Sequence, residues 1–205
     1  WYGSGLTGAG AAPTGALNGV TFSGTVAGRV PVPAAVSGLT SRILRASAVH
    51  AGNAGLIWIV DRLWGNVPVV TTTTAQAVTS PTWPARDASA STAGSKVFLA
   101  LECSSATGNA GAITNTTVSY TNSAGTAGRT ATLSSWPATA VAGTFVPLSL
   151  AAGDDGVRSV QSVTLGTSYG GGAAHLVAYR LVAAIPIPAA NVAVDRSFTA
   201  LGLPT

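Results

Sequence analysis

The sequence predicts an all-β protein, a β-sandwich or barrel with an extended arm at each end, and two observations carry the prediction. Short β-prone segments recur at intervals of roughly 8–12 residues with turn signals between them. Apolar residues within them alternate with a period of two, and nowhere does a 3.6-residue apolar period run for three turns. The expected organisation is an N-terminal arm over residues 1–16, a β domain over 17–186 with a long loop at 75–95, and a C-terminal arm over 187–205.

The elements follow in order. Residues 1–16 are Gly/Ala-rich, headed by Trp1 and Tyr2, with too little periodic apolar content to form an element alone. Residues 19–33 read as extended chain, and the alternating prolines of Val30-Pro31-Val32-Pro33 suit an edge or polyproline-like segment. A hairpin is predicted from Arg42–His50 and Leu56–Trp64, joined by Ala51-Gly52-Asn53-Ala54-Gly55, whose residues tolerate positive φ. Both faces of its second strand are largely apolar, which predicts a covered strand with Trp58 and Trp64 in the core. Residues 75–95 are low in complexity and hold Pro81, Trp83 and Pro84, the mark of a long loop. Thereafter strands are predicted at Lys96–Cys103, Thr116–Asn122, Arg129–Ser134, Thr144–Leu150, Val157–Leu165 and Ala174–Pro186. In the first of these Val97, Leu99, Leu101 and Cys103 share one face. The tail after Ile185-Pro186-Ile187-Pro188 reads as the second arm, anchored by Phe198 and Leu201.

Composition bounds the function. Charged residues make up 8% of the 205 residues and hydrophobic ones 47%, against about 25% charged in an ordinary soluble domain. Ala, Gly, Ser, Thr and Val fill the gap. A neutral, short-chained surface loses little side-chain entropy when ordered against a neighbour, which suits a protein that works in contact with copies or partners. A G+C-rich base composition would enrich Ala and Gly as well. The net charge of +4 reflects scarce acids. The basic residues are scattered from Arg29 to Arg196, whereas nucleic-acid binders gather them on one face; no direct nucleic-acid partner is expected. The single Cys103 permits no internal disulfide and reads as a buried small hydrophobe. No apolar stretch reaches membrane-spanning length. The opening residues show no signal-peptide pattern, and with no methionine present the natural start is expected outside this numbering.

Motifs of chemistry are sparse. Gly166-Thr167-Ser168-Tyr169-Gly170 matches G-x-S-x-G, but no helix follows it, and His175 comes only a few residues later with no carboxylate between. Gly3-Ser4-Gly5-Leu6-Thr7-Gly8 matches G-x-G-x-x-G without the flanking strand and helix that a nucleotide site needs. Asp154 and Asp155 sit between glycines as turn formers, with a calcium ion there as the alternative. His50 and His175 lack partners at metal-ligand spacing and read as structural. No enzyme, cofactor or metal is expected. Trp83 and Trp136 stand beside prolines in loops, where exposed aromatics stack on sugars or fill a partner's pocket; the competing reading makes them anchors tucked against their own domain.

Val118-Ser119-Tyr120-Thr121-Asn122, Gly125-Thr126-Ala127-Gly128-Arg129-Thr130-Ala131, Gly153-Asp154-Asp155-Gly156-Val157-Arg158-Ser159-Val160 and Tyr179-Arg180-Leu181 together resemble virion proteins of tailed bacteriophages, nearest the head decoration (cement) class. The resemblance spans roughly residues 96–186 and rests on strand–turn–strand patterns. It implies a jelly-roll-like β-sandwich bound to the outside of an icosahedral capsid, often as a trimer. The implied partners are the major capsid protein and copies of the chain itself, with assembly in the bacterial cytoplasm and residence in the virion. Trp1, Tyr2, Trp83 and Phe198 are the expected assembly contacts. The alternatives are a head-fibre, neck or tail component with a receptor- or glycan-binding face, or a secreted carbohydrate-binding module.

Overall fold

The computed structural model describes residues 17–22, 45–66 and 74–197. These contain eleven strands and no helix, so the all-β expectation holds. The chain divides into two compact units, one formed by Trp1–Arg29 with Arg62–Arg180 and one by Val30–Asp61 with Leu181–Thr205.

The larger unit is built on β1 (Val20–Thr21), β4 (Ala75–Ala77), β5 (Val97–Ser105), β6 (Thr117–Asn122), β7 (Arg129–Leu133), β8 (Phe145–Ser149) and β9 (Val157–Thr164). It also takes the end of β3 (Gly55–Gly65) and the first half of β10 (Ala173–Ile187). They form an antiparallel sheet in the order β1-β3-β10-β5-β8-β7-β6-β9-β4, curled into a half-barrel. The curl has identifiable causes. β8 changes partner along its length: Phe145, Val146 and Pro147 lie beside β5, whereas Leu148 and Ser149 lie beside β7. Two register shifts interrupt the β6–β9 ladder, and such irregularities increase local twist. The far end of the sheet then returns to β5, where Ser95 bridges Gly156 and Lys96 N–H donates to the Asp155 carbonyl at 3.1 Å. Gly94 makes this closure fit. Its φ is +85°, and a Cβ there would stand 1.9 Å from the Val157 carbonyl oxygen, so no side chain is tolerated.

The period-two pattern builds the core. Val97, Leu99, Leu101 and Cys103 of β5, Val118 and Tyr120 of β6, Ala131 and Leu133 of β7, and Val157, Val160 and Val163 of β9 all turn inward. Cys103 is buried and unpaired, as its surroundings predicted. Trp64 and Trp83 pack with ring centroids 5.4 Å apart. Trp136 stacks on Tyr169 at 5.3 Å. Each indole N–H has an acceptor: Asn18 O for Trp64, Val157 O for Trp83 and Thr107 Oγ1 for Trp136.

Segment 75–95 forms β4 over its first three residues, paired with β9, and is a long loop thereafter, organised by Asp87. Asp87 is buried, with Oδ1 accepting the N–H groups of Ser89 and Ser91 and Oδ2 accepting Ser91 Oγ and the N–H groups of Gly94 and Ser95. Burial pushes its pKa up, but the hydrogen bonds from Ser91, Ser95 and Ser89 together outweigh it and the net shift is downward. Trp83, expected as an assembly contact, is 1% exposed and serves as the anchor of this segment.

In the smaller unit β2 (Arg45–Ala48) pairs antiparallel with β11 (Val194–Ser197), from Val194 opposite Ala48 to Ser197 opposite Arg45. The hairpin expected between Arg42–His50 and Leu56–Trp64 is therefore replaced by a pairing with the distant tail. The turn residues explain why. Gly52 N–H donates to His50 Nδ1 and Asn191 N–H donates to the His50 carbonyl, which turns the end of β2 towards the segment before β11. Arg45 and Asp195 form an ion pair across the two strands. Residues 55–61 of β3 and 181–187 of β10 complete the unit. Trp58, expected in the core, is 42% exposed.

Candidate functional site

Two features stand out among the described residues, one polar and buried, the other apolar and exposed. The polar one lies on the face of β5 and β10 opposite the core. Alternation sends Ala100, Glu102 and Ser104 to that face of β5, and register places Glu102 directly opposite His175 of β10. Glu102 is buried and pairs with Arg62 of β3. Burial raises the carboxyl pKa, opposed by the charge and hydrogen bond of Arg62. The Arg62 guanidinium also lies 5.7 Å from the centre of the Phe22 ring.

His175 is 1% exposed. Its Nε2 lies 2.5 Å from Ser104 Oγ and its Nδ1 lies 3.2 Å from the Asn66 carbonyl oxygen. Burial lowers its pKa, the Asn66 carbonyl acts against that, and the positive charge of Arg62 adds to it; the ring is neutral at physiological pH. Asn66 Oδ1 accepts Leu176 N–H at 2.7 Å, while its buried side-chain nitrogen has no acceptor. On the same face Tyr179 packs against Phe98 and Phe145, and burial holds its phenol at about 12.

The residues singled out by motif lie elsewhere. Ser168 is exposed, with Oγ accepting Gly170 N–H at 3.1 Å, and the imidazole of His175 is turned to Ser104 instead. The sequence offered one signal for this pair, a histidine within an apolar strand pattern. Its partner lies 71 residues away and was not legible. Asp154 is held by Tyr120, by Asn122 Nδ2 at 2.7 Å and by Arg129 Nε at 2.9 Å. Hydrogen bonds from Arg129, Tyr120 and Asn122 bring its carboxyl down to about 2. It staples the 151–155 turn to β6 and β7. Asp155 pairs with Lys96. No group of three or more His, Cys, Asp or Glu side chains is placed to hold a metal ion among the described residues. A shallow cleft of about 530 Å³ is lined by Ser80, Thr82, Ser91, Thr92, Arg158 and Ser159 among others. Its lining includes no carboxylate, imidazole or thiol, so it offers hydrogen bonding without acid–base chemistry.

The apolar feature belongs to the smaller unit. Val49 (61% exposed), Leu56 (55%), Ile57, Trp58, Leu181 and Val192 are all open to solvent. The larger unit, with many more described residues, exposes only Val20 and Val141 among its large hydrophobic side chains. Of the expected assembly contacts, Trp1, Tyr2 and Phe198 lie outside the described residues. Trp136, the other loop tryptophan, is fully buried with Trp83 in the core. No protein-family model, curated protein or solved structure matches this chain.

Proposed function

We propose that this chain is a structural protein of a virus particle, a decoration protein that binds the outer surface of a tailed-phage capsid and stabilises the head. The observation that carries the reading is the concentration of exposed apolar side chains on the smaller unit, with Trp58 and Leu56 among them. Large apolar side chains held in water carry a cost that a partner removes, and their gathering in one unit makes it the candidate interaction surface. Low charge supports the same reading, since few ions need be desolvated on docking. Repeated by symmetry, weak contacts of this kind add up through multivalency.

In this reading the major capsid protein is the partner and copies of the chain associate, as a trimer, in the virion after assembly in the bacterial cytoplasm. The curled antiparallel sheet supports an all-β body, read here as jelly-roll-like. Residues 1–16 and the tail beyond β11 are arms, with Trp1, Tyr2 and Phe198 as their anchors on neighbours, while β11 itself stays paired with β2. No cofactor, membrane or direct nucleic-acid contact is invoked. A glycan-binding fibre or carbohydrate-binding module using Trp83 and Trp136 as a stacking platform has less support, because both indoles are buried.

The test is sedimentation of a lysate of the native source through a sucrose gradient, with this chain quantified by mass spectrometry against the most abundant particle protein. Migration with large particles, at a copy number comparable to the major shell protein, is expected. A Trp58→Asp variant should fold and stay at the top of the gradient. A few copies per particle would move the role to fibre, neck or tail, and a wild-type chain at the top would end the virion reading.

A further inference from the structure

Ser104 and His175 form a serine–imidazole pair for which an assembly role has no use. The direction of each hydrogen bond follows from its partners. A backbone carbonyl only accepts, so Nδ1, facing the Asn66 carbonyl oxygen at 3.2 Å, carries the proton of the neutral ring. Nε2 then presents its lone pair to Ser104 Oγ at 2.5 Å, and the hydroxyl donates to it. This is the arrangement that activates a serine: hydroxyl to base, and base oriented by a third group. The serine is half-buried at the end of β5, next to exposed Ser105 and Ala106, while the base is enclosed.

We propose that Ser104 is an activated nucleophile with His175 as its general base, reactive towards small acyl or phosphonyl electrophiles such as esters of short carboxylic acids. As Oγ forms its bond to the acyl carbon, its proton passes to Nε2. The carbon–oxygen bond to the leaving alcohol then breaks, and Nε2 returns the proton to that alcohol. Water, giving a proton to the same nitrogen, adds to the acyl carbon; the bond from that carbon to Oγ then breaks, Nε2 returns the proton to Oγ, and the acid leaves. The charged groups on this face, Glu102 and Arg62, neutralise one another, which leaves the imidazole as the base. The Asn66 that orients the ring through its carbonyl also has a buried side-chain nitrogen with no acceptor. The substrate is small because the glycine run 170–172 crowds the chain beyond β5: a Cβ on Gly172 would stand 2.2 Å from the Ala106 carbonyl oxygen. This reading does not depend on the virion role.

The experiment treats the intact chain with an alkyl fluorophosphonate, whose fluoride Ser104 Oγ would displace from phosphorus, and locates the adduct by peptide mass spectrometry. Modification of Ser104 at least about a hundredfold faster than of the exposed Ser168 is expected, from the usual size of general-base catalysis. Ser104→Ala should abolish it and His175→Gln slow it by a similar factor. Should His175→Gln fail to fold, the wild-type rate against pH decides: it must fall as the imidazole takes up its proton. An absent adduct at Ser104, a rate equal to that of Ser168, or a pH-independent rate would overturn the proposal and leave the pair a structural hydrogen bond.

Discussion

The two units spend their apolar residues differently. Among the described residues of the larger one only Val20 and Val141 of the large hydrophobic side chains are exposed, and the buried indoles all have acceptors. In the smaller one Trp58, Leu56 and Val49 face solvent although they lie in or beside strands of ordinary β character. Trp83 and Trp58 make the contrast plain. The first comes from a low-complexity loop and is core; the second comes from an apolar strand and is surface. Burial here follows from the tertiary contacts a side chain finds within its own unit, not from the apolarity of the neighbouring sequence. The larger unit buries its apolar residues, and the smaller one leaves several of its own in water.

The largest test of that contrast is Trp83→Ala, expected to cost about 3–5 kcal/mol in chemical denaturation, as truncations of buried tryptophan do. A cost below about 1 kcal/mol would break the comparison, since exposed positions behave that way. Next comes Glu102→Ala, which leaves Arg62 without its partner in a largely buried position. A loss of about 3 kcal/mol is expected, and Arg62→Met combined with Glu102→Leu should recover most of it.

A pH titration sharpens the same point. Burial holds the pKa of His175 below its ordinary value of 6.5. On acidification below that value the unfolded ring binds a proton that the folded one refuses. The stability is whole above about pH 6.5 and falls as pH drops towards the folded pKa, by up to about 1.4 kcal/mol per unit. Glu102 acts in the opposite sense, because burial raises its pKa above 4.5 and the folded state takes up that proton first. The difference between wild type and His175→Gln isolates the histidine, and equal slopes in the two would show it to be uninvolved. The smallest effects belong to the smaller unit. Trp58→Ala should change stability by no more than about 0.5 kcal/mol, and Arg45→Ala, removing an exposed ion pair with Asp195, by no more than about 1 kcal/mol. Both are read by the denaturation midpoint.

The sequence by itself determined the strands from Val97 onward and which of their residues face inward. Alternation in Val97, Leu99, Leu101 and Cys103 is a local signal, and burying one side of a pleated strand obeys it. The turn at Asp154 was legible for the same reason. Only the tertiary structure decided the pairings: β2 with β11 in place of β3, Arg62 with Glu102, and Ser104 with His175 in place of Ser168. Each depends on strand order and register between segments far apart in the chain, and a period of two says which way a side chain points without saying what it will meet. The fate of Trp58 and Trp83 had the same cause. A tryptophan in a β-prone run and one between prolines carry local information about backbone, whereas their burial was set by what the folded chain packed against each of them.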